Sequence, residues 1–268
     1  MVRRLEGRGW RTGATLERKV RFHSKLAASI GALAFAAFAC VLGCADPNLK
    51  YIDPADADRP RHFMVLPVNL TIKTPPEFSP VLDDMFGAIA GYIRGRGDTL
   101  ETLSRKEAAA RWTKSIVKVK KSDALENNFK SAMRVYVQGL AKNHSFDAVI
   151  APSIAYRSTK TRDRTAKWDG VFRKMKVVNL SDEAKTKGLA RSLSVEISGV
   201  SLHVMVFNPE GDLIFQKYGG LDLAHDVDMT NAEFTMSPRL SIKENLLKDS
   251  EHLAEGMAEA FDPYLPRR

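Results

Sequence analysis

Sequence motifs of the common enzyme classes are missing from this chain of 268 residues. It has no G-x-S-x-G nucleophile elbow, dinucleotide-binding fingerprint or H-E-x-x-H zinc motif. Gly95-Arg96-Gly97 is too short for a phosphate-binding loop and follows a predicted helix rather than a strand. We therefore expect no catalytic residues and no cofactor.

The chain is also poor in cysteine. Its two cysteines, Cys40 and Cys44, lie in or next to one apolar run near the amino terminus, so residues 45–268 contain none. This excludes a disulfide, a thiolate nucleophile and a cysteine-ligated metal from that part of the chain. A domain of this length can bury a substantial core without such crosslinks.

Positive charge is concentrated at the amino terminus. The whole chain has a net charge of +9, and residues 1–43 contribute +6 of it, from 8 basic and 2 acidic residues. Residues 44–268 therefore have a net charge of only +3 (33 basic and 30 acidic residues). This weak excess argues against nucleic-acid binding.

The uncharged run Leu26–Gly43 follows a basic segment and ends in Val41-Leu42-Gly43-Cys44. A basic region, an apolar region and a small residue before a cleavage site are typical of a signal peptide, here residues 1–43. The final four residues resemble the lipobox of bacterial lipoproteins. That resemblance implies cleavage after Gly43, diacylation of the Cys44 thiol and acylation of the new amino terminus. A plain signal peptide and an uncleaved membrane helix are the alternatives.

Polar residues follow the predicted lipid anchor. Residues 44–61 contain three prolines and four aspartates and have no apolar period, so we expect a disordered tether. Residues 62–268 are expected to form the folded domain, outside the cytoplasm. Ala45 rather than aspartate follows the cysteine, so the resemblance to bacterial lipoproteins implies the outer membrane, facing the periplasm, with the inner membrane as the alternative.

Hydrophobic periodicity in residues 62–268 predicts an α/β domain with a mixed sheet flanked by helices. Residues 114–122 receive no assignment, and His203 is expected on a solvated strand face. The predicted strands are 63–70, 99–103, 148–156, 171–180, 193–208 and 213–218, and the predicted helices are 80–96, one beginning at Ser104, 125–142 and 241–261.

Three segments carry a resemblance to a known family. Val65-Leu66-Pro67-Val68, residues 146–152 (FDAVIAP) and Trp168-Asp169-Gly170 resemble parts of envelope lipoproteins with a domain like the TolB amino-terminal or anticodon-binding domain. That family includes the curli-secretion channel lipoprotein and the penicillin-binding-protein activator lipoproteins. The resemblance implies the same α/β fold.

Residues 157–176 are rich in lysine and arginine and include an Asp169-Gly170 hairpin turn. Cations beside an aromatic residue are typical of a surface that binds an acidic partner. The simpler alternative is a solvated hairpin whose charges protect an exposed strand edge from pairing with other chains. The predicted partner-binding residues are Arg162, Arg164, Lys167, Trp168 and Arg173.

One acidic segment, GLDLAHDVD, offers hard ligands for a divalent cation in Asp222, His225, Asp226 and Asp228. A strand that ends in a polar loop has the same composition, so we expect no metal site. The sequence favours a non-enzymatic, lipid-anchored envelope protein that binds another envelope component. An oligomeric secretion channel component is the alternative, and an enzyme acting on cell-wall glycan comes third.

Overall fold

The computed structural model describes residues 50–51, 61–120, 128–179, 194–230 and 239–265. Its helices are α1 (Leu82–Gly95), α2 (Arg105–Lys120), α3 (Asn128–Ala141) and α4 (Ser250–Phe261), with a 3-10 helix at Pro76–Val81. Its strands are β1 (Lys50–Tyr51), β2 (His62–Val65), β3 (Thr99–Thr102), β4 (Ala148–Arg162), β5 (Thr165–Trp168), β6 (Val171–Lys174), β7 (Val177–Val178), β8 (Glu196–Phe207), β9 (Leu213–Leu223), β10 (His225–Asp228) and β11 (Arg239–Ile242).

A mixed sheet forms the centre of the fold, in the strand order β1-β9-β8-β4-β2-β3. Strand β2 pairs in parallel with β3 and β4, whereas β4, β8 and β9 pair antiparallel. Helices connect the parallel strands, as parallel pairing requires. The predicted α/β class with a mixed, helix-flanked sheet is confirmed.

Alternating side chains of the sheet build a core on each of its two faces. In β2, Phe63 and Val65 join a cluster with residues of α1 and α4. Met64 of β2 and Leu66, just after the strand, join a cluster with residues of α2 and α3. Both sets are fully buried. A strand covered on both faces reads as a continuous apolar run, which is the pattern found at residues 63–66.

Helix α2 begins as the sequence predicts, since the backbone N–H of Glu107 donates to Ser104 Oγ at 3.2 Å. It then runs on to Lys120, through part of the stretch that received no assignment. Its buried residues are widely spaced among lysines, so the apolar period was weak there. Trp112, Ser115 and Val119 nonetheless face the core at helical spacing.

The carboxy-terminal helix begins later than predicted. Instead of starting at residue 241, α4 starts at Ser250, where the Asp249 carboxylate accepts from the backbone N–H groups of Glu251 and His252. Residues 239–242 form β11, and its Ile242 side chain is 53% exposed. An apolar residue at helical spacing was therefore misread as part of the helix.

The strand predicted at residues 171–180 divides in two. Strand β6 pairs with β5, whereas β7 belongs to a second small sheet of order β11-β10-β7. Residue 180 lies outside the described residues. A third cluster of buried side chains, including Met175, Ile197 and Val227, joins this part to the main sheet.

Two residues of the predicted tether have regular structure. Lys50 and Tyr51 form β1 and pair with Gln216 and Phe215 at the edge of the main sheet. In this short segment the chain differs from the disordered tether expected over residues 44–61. The predicted signal peptide (residues 1–43) and the lipidation site Cys44 lie outside the described residues. Among the described residues, no helix combines the length and hydrophobicity needed to cross a membrane.

Helix α4 crosses strand β9 at very close range. A Cβ atom added to Gly219 would lie 2.0 Å from the carbonyl oxygen of Gly256, and one added to Gly256 would lie 2.4 Å from that of Gly220. Since backbone atoms bound this contact, only a shift of the helix would make room for a side chain. Glycine at these positions is therefore a packing requirement.

We predict that Gly256→Ala destabilises the domain by about 1–3 kcal/mol, because overpacking a core contact has that cost. Gly91→Ala in α1 is the matched control, because nothing lies within 4 Å of its added Cβ and alanine favours a helix interior. That variant should be neutral or up to about 1 kcal/mol more stable. Urea unfolding measures the free energy of unfolding of both variants. Equal changes of the same sign would show that close packing at Gly256 has no special cost.

Candidate functional site

Two tight turns fold residues 157–174 into three antiparallel strands. Asp169 and Gly170, with φ of 38° and 81°, form the predicted turn between β5 and β6. An earlier turn, which the sequence did not predict, lies at Asp163 and Arg164, where φ is 50° and 64°. Two successive positive φ values are those of a type I′ turn, which a glycine usually marks in a sequence. Here no glycine marked it.

Trp168 is buried, with 7% of its surface exposed, so its predicted place on a partner-binding surface is wrong. Its Nε1–H donates to Ser201 Oγ at 3.0 Å. The ring lies over Gly199 and Gly220, where an added Cβ would come within 2.4 and 3.1 Å of the indole Cε2. The extra turn folds β5 back onto the sheet, and the two glycines leave room for the ring.

Arg173 is also buried, with 4% of its surface exposed, so its predicted role at an exposed surface is wrong too. Its Nε donates to the carbonyl oxygen of Leu221 at 3.1 Å, and its Nη2 donates to that of His252 at 3.3 Å. Its Nη1 pairs with Glu255 Oε2 at 2.6 Å. The guanidinium thus joins β6 to β9 and α4.

The other three predicted residues are more accessible. The Arg162 side chain is 95% exposed. Lys167 is exposed, and its Nζ lies 5.0 Å from the centroid of the Phe172 ring. Arg164 is half-buried, and its Nη2 donates to the carbonyl oxygen of Met175 at 3.4 Å. The partner-binding role of these three residues stays a prediction.

Strict alternation gives the three strands one buried and one exposed face. In β5 and β6, Ala166, Trp168 and Val171 are buried with Arg173, while Lys167 and its neighbours across the strands are exposed. Phe172 is 60% exposed, the largest exposed fraction of any described phenylalanine, and the next is Phe129 at 42%. We call the exposed set the basic face, and it consists of Lys160, Arg162, Lys167, Phe172 and Lys174.

Two carboxylates lie next to the basic face. Asp163 comes within 4.0 Å of the Arg162 guanidinium, and Glu196 lies opposite Lys160 in the neighbouring strand and accepts a hydrogen bond from Ser158. Four cations therefore face two acidic groups, which leaves a positive surface around one exposed aromatic ring. The sequence predicted the positive charge, but the exposed aromatic residue is Phe172 rather than Trp168.

A polar network holds the β5–β6 turn on the sheet. The Asp169 carboxylate accepts from Arg157 Nε at 3.1 Å and from Ser201 Oγ at 2.7 Å. Next to it, the rings of His203 and Tyr218 stack at 4.1 Å. Ser201 makes no hydrogen bond to His203 among the described contacts, so these residues lack the nucleophile–base pair of a hydrolase.

His203 is half-buried rather than solvated, which corrects the expectation from its place in the strand. Burial and, to a smaller extent, the nearby Arg157 cation together lower the pKa of His203 to about 4, against the opposing effect of the Asp169 charge. The stack with Tyr218 shields the ring on the face that the alternation pattern assigned to solvent.

The acidic segment contains no cluster with the geometry of a metal site. Asp222 pairs with Lys243 at 2.8 Å, whereas Asp228 accepts from Thr230 Oγ1 at 2.5 Å and from Asn179. The Thr230 hydrogen bonds lower the pKa of Asp228. Within the part of the chain that the structure describes, no three histidine, cysteine or acidic side chains are grouped to hold a metal.

The environment of His203 predicts a pH dependence of stability. Its pKa is about 4 in the folded protein and near 6.5 when unfolded, so between these values the unfolded chain binds the proton. Folding stability is therefore full above pH 6.5 and falls as the pH drops toward 4. His203→Phe keeps the ring stack with Tyr218 and removes the proton site. Between pH 7 and pH 4.5 the variant should therefore lose about 1–3 kcal/mol less unfolding free energy than the wild-type protein.

Urea unfolding at pH 7 and at pH 4.5 gives the difference between the wild-type protein and His203→Phe. The other histidines, including His144 beside Glu101, are present in both proteins, and their contributions cancel. Parallel losses of stability in the two proteins would show that His203 titrates normally in the fold.

The comparisons with known proteins leave the function to be argued from this geometry. No protein-family model matches the sequence. A search of curated proteins finds none that matches it either.

Proposed function

We propose that the protein is a non-enzymatic, lipid-anchored envelope protein that binds an acidic envelope protein through the basic face. The exposed Phe172 ring among four cations is the observation that carries the proposal. Interfaces are enriched in aromatic residues and arginine, and opposite charges steer partners together. Lys167 lies over the Phe172 ring, so charge and apolar surface are presented together.

A rigid base supports this face. Trp168 and Arg173 alternate with Lys167 and Phe172 along the same strands, and their buried hydrogen bonds reach Ser201, Leu221 and α4. Because hydrogen bonds on the buried face hold both strands in place, the side chains on the exposed face keep a defined spacing. Binding to a preformed surface costs less ordering entropy than binding to a flexible loop.

Triple charge reversal of Arg162, Lys167 and Lys174 to glutamate tests the proposal. Partner capture from detergent-solubilised membranes should weaken at least tenfold at low salt, where screening is least. The melting temperature should change little, because exposed charges contribute little to stability. Phe172→Ala should weaken capture with no change in charge.

The control reverses three exposed lysines outside the basic face, namely Lys106, Lys130 and Lys248, with the same change in net charge. Equal loss of capture in both triple variants would contradict a specific surface. A photoactivatable crosslinker at residue 172 identifies the partner directly, and a basic partner would count against the proposal. Loss of binding to anionic lipid vesicles, with protein capture intact, would assign the face to the membrane instead.

The proposed anchor makes a separate prediction. Cys44→Ala should release the protein from membranes, because the acylated thiol is the attachment point. Cys40→Ala, the only other cysteine substitution available in this chain, should leave the protein attached. Intact mass should show a start at Cys44 with acyl chains, and sucrose-gradient fractionation should place it in the outer membrane. Attachment of both variants would point to an uncleaved membrane helix.

A further inference from the structure

A groove of about 270 Å³ lies between α2 and α3, on a part of the molecule that the basic face does not include. It is close to the lower end of the range typical for small-molecule sites, roughly 300–1,000 Å³. Its lining consists of Arg111, Lys114, Ser115 and Lys118 from α2, Val135, Tyr136, Gln138 and Gly139 from α3, and Lys142 just after α3.

The groove has an excess of positive charge. Arg111 pairs with Glu107 at 2.9 Å, so this cation is largely balanced. Lys114, Lys118 and Lys142 are exposed and form no ion pair with any residue that the structure describes. Three cations without acidic partners on one concave surface attract an anion with more than one negative charge.

A buried donor without a partner lies in the wall of this groove. Tyr136 is 2% exposed, and its hydroxyl group makes no hydrogen bond to any residue that the structure describes. Burial raises the pKa of Tyr136, so the hydroxyl stays protonated and remains a donor. Unpartnered buried hydroxyl groups are costly in folded proteins, and a bound acceptor removes that cost.

Gly139 leaves the groove open. It lies inside α3, where glycine is less favourable than any residue except proline. Nothing lies within 4 Å of the position that a Cβ atom would take there, so no neighbouring atom requires a glycine. The missing side chain instead keeps free space between the helices, beside Tyr136 and Lys142.

We propose that this groove binds a phosphate group, carried either by a soluble metabolite or by a lipid headgroup. A phosphate monoester has a charge of about −1.5 to −2 at neutral pH and three acceptor oxygens. Three lysines balance that charge better than they would a single carboxylate. The Tyr136 hydroxyl donates to one phosphate oxygen, and the lysines surround the others. The site does not depend on the basic face.

Calorimetric titration of the full-length protein in detergent tests the proposal, with pyrophosphate as the probe. We expect binding to the wild-type protein and a rise in melting temperature with pyrophosphate concentration. Tyr136→Phe should weaken binding about tenfold, the loss typical of one hydrogen bond to a charged group. Without pyrophosphate its melting temperature should be unchanged or higher, because the variant removes a buried hydroxyl that has no partner.

Two further variants separate the site from general charge effects. Gly139→Leu places a side chain in the open groove and should abolish binding, whereas Gly91→Leu, at an open glycine in α1, should leave it unchanged. Lys118→Glu should weaken binding more than tenfold, and Lys106→Glu on the same helix but outside the groove should change it less than twofold.

Three further probes distinguish a soluble phosphate from a lipid headgroup, and a phosphate from a carboxylate ligand. Glycerol phosphate binding that Gly139→Leu abolishes supports a soluble ligand, and phosphatidylglycerol vesicle binding with the same dependence supports a lipid headgroup. Citrate binding as tight as pyrophosphate binding would overturn the preference for phosphate. The proposal is also overturned if no phosphate probe binds, or if Gly139→Leu binds like the wild-type protein. The triple reversal on the basic face should bind pyrophosphate normally, so this test is independent of partner docking.

Discussion

Two successive glycines in β9 determine how closely this strand packs against α4 on one side and the β5–β6 turn on the other. Gly219 faces α4, where the helix backbone comes too close for any side chain, and Gly220 faces Trp168 and Val171 on the other side of the strand. A strand with no side chains at two neighbouring positions admits close packing on both faces. The position of α4 and that of the β5–β6 turn therefore depend on the same short segment of backbone.

This constraint also determines which side chains reach solvent. Because strand residues alternate between faces, burying Trp168 over Gly220 places Lys167 on the opposite face. Across the turn, Trp168 pairs with Val171 and Lys167 pairs with Phe172, so the same face of β6 is exposed. A shift of one residue in this register would expose the indole and bury a lysine. The packing of Trp168 thus specifies the basic face as a consequence.

The sequence predicted the α/β class because its core strands and helices have strong periods. The capping interaction at Ser104 was likewise found from local sequence. Burial of Trp168 and Arg173 could not be predicted in this way. The indole packs on glycines in β8 and β9, and the Arg173 guanidinium bonds to Leu221, His252 and Glu255, so both depend on residues more than thirty positions away along the chain. The turn at Asp163 was missed because neither of its central residues is glycine. Local sequence therefore predicts helices and strands, whereas the burial of a large side chain depends on residues that are distant along the chain.

The two positive surfaces differ in the kind of ligand that their shapes admit. The basic face is an exposed strand surface with its ring projecting outward, and such a surface gains affinity only when a large partner covers it and excludes water. The groove between α2 and α3 is concave, so a small anion there meets several cations and a hydroxyl at once. The exposed lysines of both surfaces contribute little to the stability of the fold, because water screens their interactions and neighbouring like charges repel one another. The apolar clusters on both faces of the sheet stabilise the fold instead, so the lysines of both surfaces can be substituted without disrupting the core.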